Sequence, residues 1–226
     1  MAQTTSLLRN KYWVLRHGRS IPNERGLIVS GEKPPYDLLN HNNDDRKMLE
    51  NYSKRYSRKI TYQLKMFAFS TPPFREQLRL LDRVVTSALN IQFEGAQCKV
   101  MENLRERFFG PSFELRSGDE YHEIYCTLDE QDPLMRPEGG ESVDDVASRL
   151  AEAIVTMESL FQGCTILVVS HGDPLQILQA LLNATKLNTE YSYDDLASRI
   201  QAVRAPSILS QHRKFNLRTG ELRAVI

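Results

Sequence analysis

Two apolar runs in this chain end in the same dipeptide. Tyr12-Trp13-Val14-Leu15 leads into Arg16-His17-Gly18, and Thr165-Ile166-Leu167-Val168-Val169 leads into Ser170-His171-Gly172. Five histidines and eleven glycines in 226 residues would give fewer than one His-Gly pair by chance. Short apolar runs with β-branched residues read as buried strands. Between them, Val143, Val146, Leu150, Ile154, Met157 and Leu160 recur at the three-to-four spacing of an amphipathic helix over 141–161, with Gly163 as its stop signal. Asp173-Pro174 then predicts a helix from Leu175 to Leu182, with Asp at the N-cap and Pro at the first helical position. Strand, helix, strand, helix implies an α/β fold: three layers, a mainly parallel sheet flanked by helices. A further helix is expected over 194–203. A terminal hairpin is expected from Lys214 to Leu217 and Glu221 to Ile226, turning at Thr219-Gly220.

At this length the chain reads as a single domain, 1–226. Lys+Arg and Asp+Glu each number 29. A net charge of zero argues against nucleic acid as a partner. No apolar run of ~18 residues is present, so no membrane span is expected. No signal peptide is read at the N-terminus, and Cys98, Cys126 and Cys164 lack metal or disulfide spacing. Reduced thiols and a cytoplasmic location are the expectation. His41, His122 and His212 have no ligand spacing and read as surface or capping residues, so no metal is expected. The basic group Lys54, Arg55, Arg58 and Lys59 reads as a solvated face.

The chemistry concentrates where the two strands end, which is where open α/β sheets bind ligands. A neutral imidazole is a competent nucleophile, and a neighbouring glycine admits close approach of a ligand. The adjacent Arg16 offers a forked donor suited to phosphate.

These residues resemble the histidine phosphatase superfamily, the phosphoglycerate mutase-like proteins, and most nearly the plant-type members. The resemblance rests on Leu15-Arg16-His17-Gly18-Arg19-Ser20 with Asn23, on Leu104-Arg105-Glu106 and Gly110, on Pro137-Glu138-Gly139-Gly140-Glu141-Ser142, and on Ser170-His171-Gly172, in family order. It implies phosphomonoester hydrolysis of a small phosphorylated substrate through a phosphohistidine on His17. Glu106 and His171 complete the catalytic set, with Glu106 as the acid toward the leaving oxygen and then the base toward water. Arg16, Asn23 and the backbone at Gly172 bind the phosphoryl oxygens. No cofactor or metal is implied. Phosphoglycerate mutase-type phosphoryl transfer is the first alternative. The sequence carries no signal of oligomeric state.

Residues 31–82 depart from this pattern. There is no glycine from Glu32 to Glu94 and no valine between Val29 and Val84, and 41–59 is polar and basic. The family's second phosphate arginine, in a pattern S-P-x-x-R-x-x-x-T-A, is missing. Its place holds Pro72-Pro73-Phe74-Arg75-Glu76-Gln77-Leu78-Arg79-Leu80-Leu81-Asp82. Back-translated and read one base earlier, Thr71 to Asp82 can give SPFSRTTPTAR, and Lys59 to Thr71 can give NNISTENVRIFYS. The first contains the expected pattern with its arginine. We therefore read a stretch within 31–82 as out of frame relative to the family. The expected consequences are loss of that arginine, of a strand beside the first one, and of the helix before it. A catalytically impaired member, with a binding role or no activity, is the second alternative.

Overall fold

The computed structural model describes residues 7–17, 25–30, 64–69, 97–187 and 195–226. Five strands form one sheet: β1 (Lys11–Arg16), β2 (Leu64–Phe69), β3 (Gln97–Met101), β4 (Thr165–Ser170) and β5 (Leu222–Ala224), in the spatial order β3-β2-β4-β1-β5. β4 pairs in parallel with β1 on one side and β2 on the other, and β2 pairs in parallel with β3. Among the described strands only β5 runs antiparallel, against β1. This is the mainly parallel sheet that the sequence implies.

All six residues of β4 are buried, as expected of a central parallel strand covered on both faces. Helix α2 (Val143–Leu160) follows the expected apolar stripe, and Val146, Leu150, Ile154 and Met157 on it are fully buried. Its start is fixed by a capping box. The Ser142 hydroxyl accepts the Asp145 N–H at 3.0 Å, and the Asp145 carboxylate accepts the Ser142 N–H at 2.8 Å. Helix α3 (Gly172–Leu187) packs beside α2, and the two share one core with Tyr12 and Val14 of β1 and Ile166 and Val168 of β4. Helix α4 (Leu196–Val203) is capped by Asp195. Shorter elements are α1 (Glu120–Ile124), which continues as a wider turn over Tyr125–Asp129, and a single helical turn at Pro206–Leu209.

Three expectations are corrected. No terminal hairpin forms: His212–Phe215 is a tight helical turn, and β5 pairs with β1 instead. Burying the sheet edge of the strand that carries Arg16 is the better use of those backbone groups. The helix expected from Leu175 begins at Gly172, so Asp173 lies inside its first turn rather than capping it. The strand expected beside the first one, and expected to be lost with the out-of-frame stretch, is placed differently: the stretch does contain a strand, Leu64–Phe69, but it lies between β4 and β3, and the neighbours of β1 are β4 and β5. Leu64, Met66, Phe67 and Phe69 make that run apolar and partly aromatic in the frame as it stands, which is sufficient for a sheet strand.

Candidate functional site

The β1–β4 ladder sets the geometry. Arg16 is the partner of Ser170, so both strands end level, and the His17 N–H donates to the Ser170 carbonyl at 3.0 Å. His17 and His171 therefore leave the sheet side by side. Their rings meet edge to face, with centroids 4.7 Å apart and planes at 69°.

Arg16 lies against the start of α3. A Cβ built on Gly172 would come within 3.1 Å of the Arg16 Cζ and 3.3 Å of its Nε and Nη2. A side chain here would press on the guanidinium, which would have to give by a few tenths of an ångström. Arg16 Nη1 donates to the Leu217 carbonyl at 2.8 Å, which anchors one prong of the fork. Arg16 Nε is buried and has no hydrogen-bond partner among the described residues. An uncompensated buried donor of this kind suits an incoming anion.

Glu106 follows the tight turn Glu102–Leu104 that closes β3. One of its carboxylate oxygens is 3.4 Å from Nδ1 of His171. Its segment is held from three sides. The buried Ser170 hydroxyl donates to the Leu104 carbonyl at 2.5 Å. Arg149 of α2 donates to the carbonyls of Asn103, Arg105 and Glu106 at 2.7, 2.9 and 3.2 Å. The Glu141 carboxylate accepts the Phe108 N–H at 3.0 Å and pairs with Arg105 and Arg149. Gly110, at φ +94°, admits the 137–141 loop, because a Cβ there would meet the Glu138 carbonyl oxygen at 2.2 Å.

Burial first, and then the negative charge of Asp173, push the Glu106 carboxyl up to about 8, against the opposing pull of the Arg107 N–H, Arg16 and Arg149. At neutral pH it is a proton donor. His171 is held well below the usual histidine range by burial, with His17, Arg16 and Arg149 adding to the effect. In the resting site His171 is thus neutral, and donates through one N–H rather than as an imidazolium.

Of the six site residues named from sequence, Arg16, His17, Glu106, His171 and Gly172 come together in one place. Asn23 lies outside the described residues, as do Arg75, Arg79 and the Lys54–Lys59 basic group. Among the described residues no group of three or more His, Cys, Asp or Glu is placed to hold a metal ion, and no helix is long and apolar enough to cross a membrane.

One other reading is corrected. His212 is not a surface residue. It is fully buried, with Nε2 3.6 Å from Asp173 and 3.9 Å from Asp129. Sequence pattern does not reveal this buried group of Arg107, Asp129, Asp173, Tyr125 and His212. The available signal was Arg107 at the end of the charged run Arg105-Glu106-Arg107, set directly before Phe108-Phe109.

A sequence model of the histidine phosphatase superfamily (branch 1) matches residues 80–204, more than half of the chain. The chain belongs to the histidine phosphatase superfamily. Its branch-1 match begins at residue 80, within the last residues of the anomalous 31–82 stretch, and so omits the Arg16-His17-Gly18 motif. No curated protein matches the chain significantly. Solved structures with the superfamily's phosphoglycerate mutase-like fold are similar at low identity. A mycobacterial glucosyl-3-phosphoglycerate phosphatase, solved in complex with VO3, is 17% identical at a TM-score of 0.56, covering 85% of each chain. The alpha-ribazole phosphatase of Shigella flexneri is 21% identical at 0.52, covering 85% of this chain and 84% of that one. The phosphoglycerate mutase of Bacillus anthracis is 17% identical at 0.57, covering 88% and 99%.

Proposed function

We propose that the chain hydrolyses a small phosphomonoester through a phosphohistidine on His17. The observation that carries this reading is the edge-to-face pair of His17 and His171 with the Arg16 guanidinium beside it, one buried donor unpartnered. A ring nitrogen of His17 attacks phosphorus as the bond to the leaving oxygen breaks. Glu106, protonated at neutral pH, gives its proton to that oxygen. Arg16 and the N–H of His171 take the charge that develops on the phosphoryl oxygens. Asn23 is assigned to the same oxygens by resemblance. In the second step Glu106, now a carboxylate, removes a proton from water. The water oxygen bonds to phosphorus, the N–P bond breaks, and inorganic phosphate leaves.

A specific observation favours a second reading, an impaired member of the superfamily. The pattern with the second phosphate arginine is absent, and the superfamily match starts only at residue 80. Loss of one donor aimed at a transition-state oxyanion costs about 2.7–4 kcal/mol, or 10²–10³ in rate.

Brief exposure to a labelled phosphomonoester, quenched in alkali, tests both readings. Acid-labile label on the parent protein, absent from His17→Ala, supports the hydrolase. No label on folded parent protein, with label on a chain carrying SPFSRTTPTAR in place of residues 72–82, supports the impaired member. No label on either removes His17 as the nucleophile. Chase of the label into a second phosphorylated metabolite rather than into phosphate would mark a mutase.

A further inference from the structure

Behind the candidate site lies a buried group of charges that the proposed mechanism does not use. Arg107 is bidentate to Asp129, with Nη1–Oδ2 at 2.7 Å and Nη2–Oδ1 at 2.9 Å, and its Nε donates to the Glu141 carbonyl at 2.9 Å. The same Nη1 reaches Asp173 Oδ2 at 3.3 Å. Asp173 Oδ1 accepts the Tyr125 hydroxyl at 2.5 Å. Arg213 stacks on the Tyr125 ring, 3.5 Å from its centroid. His212 Nδ1 is 2.8 Å from the Leu209 carbonyl, an acceptor, so that nitrogen carries a proton. Its Nε2 faces both carboxylates.

This arrangement joins two places in the sequence. Arg107 is the residue after Glu106, and Asp173 is two residues after His171. Their contact ties the segment of the acid to the first turn of the helix behind His171.

We propose that Asp173 is a positioning residue for the phosphoryl-transfer site: a buried anion that, through Arg107, fixes the segment carrying Glu106 and so holds its carboxyl against His171. Arg107 spends its better geometry on Asp129, so Asp173 retains charge toward Glu106. The other groups facing Glu106 are His171, Arg16 from β1 and Arg149 from α2, and both arginines act against its protonation. Asp173 is the charged neighbour that favours it. Asp173 itself stays ionised because His212, Arg107 and Tyr125 surround it. His212 is in turn raised above the ordinary histidine value by Asp173 and Asp129, against its burial. The inference rests on the reading of Glu106 as the acid. Its test is made on the resting protein, so absence of turnover and failure of this proposal are separate results.

The experiment is a carboxyl carbon NMR titration of Glu106 in the folded, full-length chain, assigned with Glu106→Gln. The parent is expected to titrate near 8. Asp173→Asn is expected to lower the midpoint by about one pH unit or more, as removal of a near like charge does. His212→Gln removes the imidazole whose Nε2 faces Asp173 and is expected to raise the midpoint. A merely structural role would loosen the site in both variants and move both midpoints the same way. Midpoints that move together, or a parent midpoint in the ordinary carboxylate range, overturn the proposal. Should Asp173→Asn not fold, an unmoved or lowered midpoint in His212→Gln overturns it alone.

Discussion

The Arg16 guanidinium rests so closely against Gly172 that a methyl group there would have to displace it, the nearest approach to a built Cβ being 3.1 Å. One strand end thus supplies the cation and the other supplies the gap it occupies. Gly172→Ala is expected to displace the guanidinium by a few tenths of an ångström, because Leu217 anchors it from the far side. Misplacement by 1 Å can cost about 10²-fold, so a loss of about tenfold in kcat is expected, with folding intact. Steady-state kinetics beside a melting curve checks it.

The pH profile of the proposed hydrolysis follows from Glu106. Its proton is needed in the first step and is lost above about 8. Activity is expected to fall with rising pH through that region, and Glu106→Gln is expected to remove this limb along with most of the rate. A limb that persists in Glu106→Gln would assign it to another group.

Stability carries the same sign. Glu106 titrates near 8 in the folded chain and near the ordinary 4.5 when unfolded. Between those values the folded state holds a proton that the unfolded state has released. Its contribution is therefore full below 4.5 and is lost as pH rises to 8. Glu106→Gln lacks this slope and is expected to melt higher than the parent at pH 8. Calorimetry at two pH values suffices.

Arg107→Met leaves Asp129 and Asp173 buried without their shared cation. A loss of about 3–5 kcal/mol is expected, since breaking one side of a buried ion pair strands the other. Denaturant unfolding measures it. Arg107→Lys keeps the charge but cannot bind Asp129 bidentately, and is expected to recover only part of that loss.

Replacing residues 59–82 by their counterparts read one base earlier restores the S-P-x-x-R-x-x-x-T-A pattern. The kcat of that chain is expected to exceed the parent's by about 10²–10³, the worth of one oxyanion donor. Equal rates would show that the resident sequence supplies its own ligand. Sequencing the transcript across 31–82 gives the companion result: an in-frame message encoding these residues makes the segment a true divergence.

Much of the site was legible because its residues sit at strand ends. An apolar run closing in Arg-His-Gly or Ser-His-Gly states both the element and the place where the chain leaves it, and the α2 stripe and stop were equally plain. Arg149, Arg107 and His212 were not legible. Their role depends on packing between elements far apart in the chain, and a lone charge has no periodicity to betray it. The terminal hairpin failed for a related reason. A local turn at Thr219-Gly220 says nothing about whether β5 pairs with its neighbour in sequence or with β1, at the other end of the chain.

Lys11 to Arg16 and Thr165 to Ser170 match rung for rung. The two histidines are joined by hydrogen bonds across the sheet rather than by the long chain between them. A one-residue slip in that ladder would move one ring by about 3.3 Å and turn its strand inside out, but a rewritten stretch between the strands alters no rung. A lineage can therefore lose a phosphate ligand through a shifted message and still inherit the spacing of its histidines. On the impaired-member reading, restoring the frame would return the lost ligand to a site whose two histidines already stand in place.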